Sequence, residues 1–447
     1  MMFTNEYLAR YMAVVLLSLT LVLAGCEKEP AFVGPITSAV PEATRIAAQQ
    51  GEAWAQAEIG AYLMSQNDFK NAEKWLRKSE SQGYAMGRLL LGRWHELQGD
   101  DKTAMALYLF DAENGNGLFQ RHLATKYAEG KGVKQDWGEA AKWFLKAAKQ
   151  GDEISAFFTG HNYYYGFGFS RNHSEAAKWY HVAAEKGVWD ADIQLGYLYT
   201  AGSGVSEDDE KAVKHFGRAA AMGHAESQFF VGCAYVCGMG IEKDFSKAAT
   251  FFRKAGDQGH ILSQYWIGQL YSLGDGVTKD GVKAREWLLK AGNQGFARAQ
   301  QDLGYLYEQG IGGEQNYGEA VKWYRKAADQ GLPDAQWRLA FCYGLGRGVQ
   351  LNPLEGEKLL MLAAKQGHED AQLMLKQLAQ KRASLARERG ASAPSYFGGN
   401  ESYYGQLNAY GVPKTVFVRP YSRMDGTFVK SHFRSPPYSN SLRSRRY

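Results

Sequence analysis

GFARAQQDLGYLYEQGIGGEQNYGEAVKWYRKAADQG, residues 295–331, is a phrase that this chain repeats along most of its length. Its opening glycine recurs at Gly51, Gly83 and Gly115, then at Gly151, Gly187, Gly223, Gly259, Gly295, Gly331 and Gly367. The step is 32 residues for the first two intervals and 36 thereafter. A fixed period in the thirties means a stack of like supersecondary units, each leaning on its neighbours for its core. It also disfavours an enzyme, because such arrays mostly present extended surfaces.

Within the phrase, residues 297–307 have the helical spacing of a first helix. Gly304 recurs as Gly160, Gly196, Gly232 and Gly268, with Ala124 and Ala340 as equivalents. Glycine weakens a helix, so its return at one position predicts close approach by a neighbouring helix. Three residues on, an aromatic recurs: Tyr127, Tyr163, Tyr199, Tyr235, Tyr271, Tyr307 and Tyr343. A Gly-x-Gly turn follows, as in Gly274/Gly276, where a positive φ is expected. No strand precedes this loop and no Lys-Ser/Thr follows it, so it is not a phosphate cradle. Asp136, Asn172, Asp208, Asp244, Asp280, Asn316 and Asn352 then stand as N-caps. In four repeats a glutamate three residues later (Glu139, Glu175, Glu319, Glu355) completes a capping-box pattern. A second amphipathic helix, such as 139–150, runs to the next glycine, which suits the C′ position. The repeats opened by Gly51 and Gly83 lack the double-glycine loop.

The small residue, aromatic, Gly-x-Gly loop and Ala-Ala pairs resemble the Sel-one-like repeat, a branch of the tetratricopeptide-like superfamily, over residues 45 to about 382. The resemblance implies an all-α fold. It takes the form of a right-handed α/α superhelix of about nine helix-pair repeats over 45–389, closed by a capping helix from His368. It further implies a non-enzymatic adaptor for protein complexes. The periodicity by itself establishes only stacked helix pairs.

In such a stack the first helices line the concave side, at offsets of 3, 6, 10 and 14 residues from each opening glycine. These offsets hold Phe157, His161, Tyr165, Tyr197, Phe229, Tyr265, Tyr305, Trp337 and Phe341, with charged residues mainly at the first offset. Rings in a groove with a charged rim suit an extended or helical peptide. The competing use of the same rings is inter-repeat packing.

No catalytic constellation is present, and no metal or cofactor is expected. His161, His173 and His181 fall at different repeat positions, and Cys233 and Cys237 lack further ligands at zinc spacing. Four cysteines are too scattered for a disulfide framework.

The two ends differ from the array. Residues 11–25 form a short apolar run ending Leu23-Ala24-Gly25-Cys26, which resembles a bacterial lipobox. That resemblance implies a signal peptide over 1–25, lipidation of Cys26 and a tether over 26–44. It also implies a lipid anchor in the bacterial envelope, at the outer membrane facing the periplasm. Of the net +5, residues 390–447 hold eight Lys/Arg against two acids, or +6, leaving −1 elsewhere. Two partly alternating runs flank Asp425-Gly426, a hairpin signal over 416–434. The expected partners are envelope proteins or peptides on the array. The basic tail suits anionic lipid or glycan, and an alternative role is a structural or export component touching polysaccharide or peptidoglycan. Nucleic acid is not an expected partner.

Overall fold

The computed structural model describes residues 40–388, with side chains through residue 385. Cys26, the leader, most of the segment read as a tether and the 416–434 hairpin signal lie outside the described residues. All regular structure in the described residues is helical.

The chain divides into two compact units at Glu207/Asp208. The N-terminal unit holds α1 (Glu42–Gln49), α2 (Ala53–Ser65), α3 (Phe69–Glu80), α4 (Ala85–Leu97), α5 (Asp101–Glu113), α6 (Gly117–Glu129), α7 (Trp137–Lys149), α8 (Glu153–Tyr165), α9 (His173–Glu185) and α10 (Trp189–Ala201). The C-terminal unit holds α11 (Asp209–Ala221), α12 (Ala225–Cys237), α13 (Phe245–Asp257), α14 (Ile261–Leu273), α15 (Gly281–Asn293), α16 (Ala297–Gln309), α17 (Tyr317–Asp329), α18 (Pro333–Leu345), α19 (Pro353–Lys365) and α20 (Glu369–Glu388). In each unit a second-type helix comes first, four first/second pairs follow, and a first-type helix ends the series. Tandem pairing is as the repeat predicts. The leading helix α1 was not expected, and it begins three residues inside the segment read as a tether.

The recurring small residue does what its position predicted. A Cβ added at Gly160 would stand 2.7 Å from the Tyr180 ring, and one at Gly268 would stand 2.8 Å from Leu288. Tyr180 and Leu288 are fully buried, as are Phe252 and Tyr324 at the same place in other second helices. Each pair therefore locks a large side chain onto a bare stretch of helix backbone. In α20 the equivalent position is Lys376, which is exposed. A lysine there leaves no bare backbone for a second helix to lock onto, and among the described residues the series ends with α20.

The double-glycine loop has a second duty that conformational freedom did not reveal. Gly204 has φ +75°, and a Cβ there would stand 2.6 Å from the Ser174 backbone nitrogen at the start of α9. The loop of one repeat thus rests on the first turn of the preceding second helix. Only half of the capping box forms. Asn316 Oδ1 accepts from the Glu319 backbone N–H at 3.0 Å. The Asn316 N–H, however, already donates to the Tyr307 carbonyl at 2.8 Å. Glu319 consequently turns outward and pairs with Lys322 at 2.6 Å. In the two short repeats a single left-handed residue, Asn67 or Gly99, replaces the loop.

A ladder of buried glutamines stitches successive helices. Gln264 Nε2 donates to the Gly256 carbonyl of α13 at 2.9 Å, and its Oε1 accepts from Gln294 Nε2 at 2.8 Å. The same pair of bonds recurs at Gln228, Gln300 and Gln336, and in the N-terminal unit at Gln56 and Gln120. Each rung adds a second hydrogen bond to a helix-end carbonyl that already accepts from the glycine closing that helix, as Gly256 does from the Gly259 N–H at 3.0 Å.

Candidate protein-interaction face

The rings named from sequence all lie on first helices, but they are not equally available. Phe157 is 3% exposed and Phe229 is 9% exposed, so both are core residues rather than groove residues. Phe157 is packed by His161 at 4.4 Å and Phe158 at 5.5 Å between ring centroids. Phe229 is packed by His260 at 5.0 Å and Phe252 at 5.9 Å. The competing use of these rings, inter-repeat packing, accounts for both.

His161 is also tied inward. Its Nδ1 lies 2.9 Å from the Tyr180 hydroxyl, and burial pushes its pKa down to about 4. Tyr165, beside it on α8, is partly exposed and meets Phe167 and Tyr164. Tyr197 on α10 is likewise partly exposed.

The C-terminal unit carries the more open surface. Tyr265 on α14 is partly exposed and rests edge-on against Phe296 at 5.0 Å. Tyr305 on α16 and Phe341 on α18 are 40% and 39% exposed. Trp337 lies between Phe341 and His368, whose ring stacks on it at 5.4 Å. Leu262, Leu273 and Leu345 are exposed on the same helices at the predicted offsets. Apolar side chains on α14 and α18 therefore flank α16, where Gln301 and Gln309 take the equivalent places.

Polar groups that the four offsets did not include brace this surface. The Arg338 guanidinium lies 4.9 Å from the Tyr305 ring centroid and 3.2 Å from Glu308 Oε2. The Tyr324 hydroxyl donates to the same Glu308 oxygen at 2.6 Å. Gln269 Nε2 donates to Asp302 Oδ2 at 2.6 Å, linking α14 to α16. Arg338 and Asp302 stand at offset 7 and Glu308 at offset 13, one helical step from the ring positions, and that adjacency was the available signal; Gln269 takes a ring position itself, at offset 10.

Histidines cap two of these helices. His260 Nδ1 accepts from the Ser263 backbone N–H at 3.3 Å at the start of α14, and His224 Nδ1 accepts from Ser227 N–H at 3.2 Å at the start of α12. Burial lowers both pKa values.

Among the described residues Cys233 and Cys342 are buried, Cys237 is exposed, and none of the three is in a disulfide. Burial pushes the Cys233 and Cys342 thiols up, the latter to about 11, which keeps them protonated and unreactive. No cluster of His, Cys, Asp or Glu suited to a metal occurs among the described residues. No described helix is long and apolar enough to cross a membrane.

Comparison with known proteins places this geometry. The Sel1 repeat matches residues 55–84, 118–152, 154–188, 189–224, 225–260, 261–296, 297–332 and 333–368. One similar solved structure is a protective antigen present in uropathogenic Escherichia coli strains displaying an SLR fold. It has 29% identity and a TM-score of 0.60, with 80% of this chain and 84% of that chain covered. Another is a Sel1 repeat protein from Oxalobacter formigenes, with 32% identity and a TM-score of 0.51, covering 80% of this chain and 99% of that one. A search of curated protein sequences gave no match.

Proposed function

Since this chain belongs to the Sel1 repeat family, whose members are generally protein-interaction scaffolds, we propose that it is a non-enzymatic scaffold that binds a partner protein across α14, α16 and α18. The observation that carries this reading is the row of partly exposed rings Tyr265, Tyr305, Trp337 and Phe341 on consecutive first helices, with the Arg338 and Glu308 charges beside them already paired. Rigid aromatic side chains give contact area at little entropic cost, and the Arg338–Glu308 pair leaves no unpaired charge for a partner to bury. First helices two repeats apart lie roughly 20 Å apart, taking about 10 Å for each step of helix packing. A partner helix of about four turns, or an extended segment of about six residues, would place one apolar anchor on each lip.

The test is photo-crosslinking in cells from a benzophenone amino acid at Tyr305, with Lys322 on the outer side of α17 as the control site. A discrete protein adduct is expected from position 305 and not from 322. The double variant Tyr265→Asp/Phe341→Asp should abolish it while far-UV circular dichroism stays helical. An adduct that survives the aspartates, or one formed equally from 322, defeats the reading.

Envelope anchoring through Cys26 belongs to the same proposal and is supported by the lipobox-like residues 23–26. Metabolic acyl labelling should mark the wild type and not Cys26→Ser. A second reading, glycan or anionic-lipid contact, is supported by the concentration of all eight tail Lys/Arg within 414–446. Deleting 414–447 should then release envelope glycan from the purified chain, and unchanged glycan binding removes that role.

A further inference from the structure

The last helix pair departs from every earlier pair on its outer surface. At offset 20 the long repeats carry Gln135, Arg171, Glu207, Lys243, Lys279 and Gln315, whereas the final one carries Leu351. At offset 31 they carry Lys146, Val182, Arg218, Lys254, Lys290 and Lys326, whereas the final one carries Leu362. Leu354 stands where Gly138, Ser174, Glu210, Ser246, Val282 and Gly318 stand. Leu351, Leu354 and Leu362 are 59%, 73% and 50% exposed.

The helix that follows adds to this surface. α20 has 20 residues against 13 in α19, so it outruns its neighbour. Its packed side holds Ala371, Met374, Leu375 and Leu378. Arg382 continues that stripe and reaches Glu357 through two bonds of 2.7 Å. Leu385, one turn further, continues it again but is 41% exposed. Antiparallel pairing at Arg382–Glu357 sets Leu385 level with Leu354. The chain then leaves at Glu388, about one turn beyond.

We propose that residues 391–411 of this same chain fold back and pack their rings on Leu351, Leu354 and Leu385. Three observations select this occupant. The segment holds five rings (Tyr396, Phe397, Tyr403, Tyr404 and Tyr410) and one charged residue, Glu401, while the basic residues begin at Lys414. From Glu388 to Tyr396 the chain reaches up to about 26 Å, against a helix diameter of about 10 Å to be crossed. Linked at that distance, the rings act at an effective concentration in the millimolar range. A second copy or a folded partner needs roughly 20–30 residues a side, far more than this strip supplies. The basic stretch 414–446 remains outside the contact. This inference does not depend on the scaffold reading, since it uses none of the ring-bearing face.

The experiment places a benzophenone amino acid at Leu354 of the full-length chain, irradiates it at low micromolar concentration and maps the adduct by peptide mass spectrometry. The expected product has monomer mass and joins position 354 to residues 391–411. The double variant Tyr396→Ser/Phe397→Ser should cut its yield at least about fivefold and speed hydrogen exchange in the last turn of α20. Adducts of dimer mass, adducts to 414–447 alone, absence of any adduct, or a yield unchanged in the double variant each overturn the proposal.

Discussion

Acidification should detach the starts of α12 and α14 by removing an acceptor. His224 Nδ1 and His260 Nδ1 each take a backbone N–H, from Ser227 and Ser263, and each lies 2.9 Å from the hydroxyl of the same serine. An imidazolium has no lone pair at Nδ1, so protonation turns the cap into a donor facing a donor. Burial is the main cause of the lowered pKa at both sites. Glu226 opposes it at each, and His224 reinforces it at His260. A depressed folded pKa means that the stabilisation is present above the ordinary value of about 6.5 and is lost as pH falls from there. An N-cap is worth about 1 kcal/mol, roughly a fivefold change in local opening. The assay is amide exchange at Ser227 and Ser263, corrected for intrinsic rate, at pH 7.5 and pH 5. Local exchange is the right readout because other groups titrate too. His122, pushed to about 3, and His161, to about 4, change stability in the same direction. Asp190, raised to about 6 by burial, stabilises on acidification. Protection at both amides should drop about fivefold more in wild type than in His224→Asn/His260→Asn, whose caps do not titrate in this range. Equal pH dependence in the two proteins refutes the argument.

Gly160→Val should cost roughly 1–3 kcal/mol or more by overpacking against Tyr180, read as a lower unfolding midpoint with lost protection in α8 and α9. Gln264→Ala removes one of two bonds at both the Gly256 carbonyl and the Gln294 amide, so about 0.5–1.5 kcal/mol should be lost; Gln264→Glu should not restore it, because a carboxylate cannot donate to the carbonyl. Gly204→Ala combines a left-handed φ with a backbone clash at Ser174, and it should loosen the first turn of α9 in hydrogen exchange more than a control at exposed Ser206, Ser206→Ala, does.

The repeat grammar was legible because its signals are local and redundant: cap, amphipathic body, stopping glycine and small-residue contact all fall within one 36-residue phrase. The N-caps and the close approach at Gly160 follow from residue type and period alone. The failures have a common cause. Phe157 and Phe229 occupy the same offset as Tyr265 and Trp337, yet the first two are buried and the last two are partly open. Offset fixes the direction in which a side chain leaves its helix, whereas burial depends on what the next repeat places opposite it. Opposite Phe229 stands His260, and opposite Tyr265 stands Phe296, which meets it only by an edge. The glutamine ladder was missed for a different reason. Gln264 and Gln294 are both common surface residues, and their pairing appears only when positions 30 residues apart are compared across repeats.

That comparison also separates the residues that build the stack from those left to vary. Offsets 5 and 9 and the double glycine serve stacking, so function has to lie where consecutive repeats differ. Offset 5 itself breaks three times: at Arg88, which pairs with Asp111 instead, and at Ala156 and Asp192 in the last two first helices of the N-terminal unit, the first of them α8. There Lys186 Nζ donates instead to the Gly151 carbonyl at 2.6 Å, one exposed ammonium in place of a buried rung. With its rung gone, α8 is held by its rings: Phe157, Phe158 and His161 pack on one another and on Tyr180. The buried aromatic cluster that first looked like a binding groove in the N-terminal unit is therefore the packing that replaces the ladder. The open rings of the C-terminal unit have no such duty, because Gln264, Gln300 and Gln336 already tie their helices together. A face whose stacking is secured elsewhere is the one free to present Tyr305 and Phe341 to another protein.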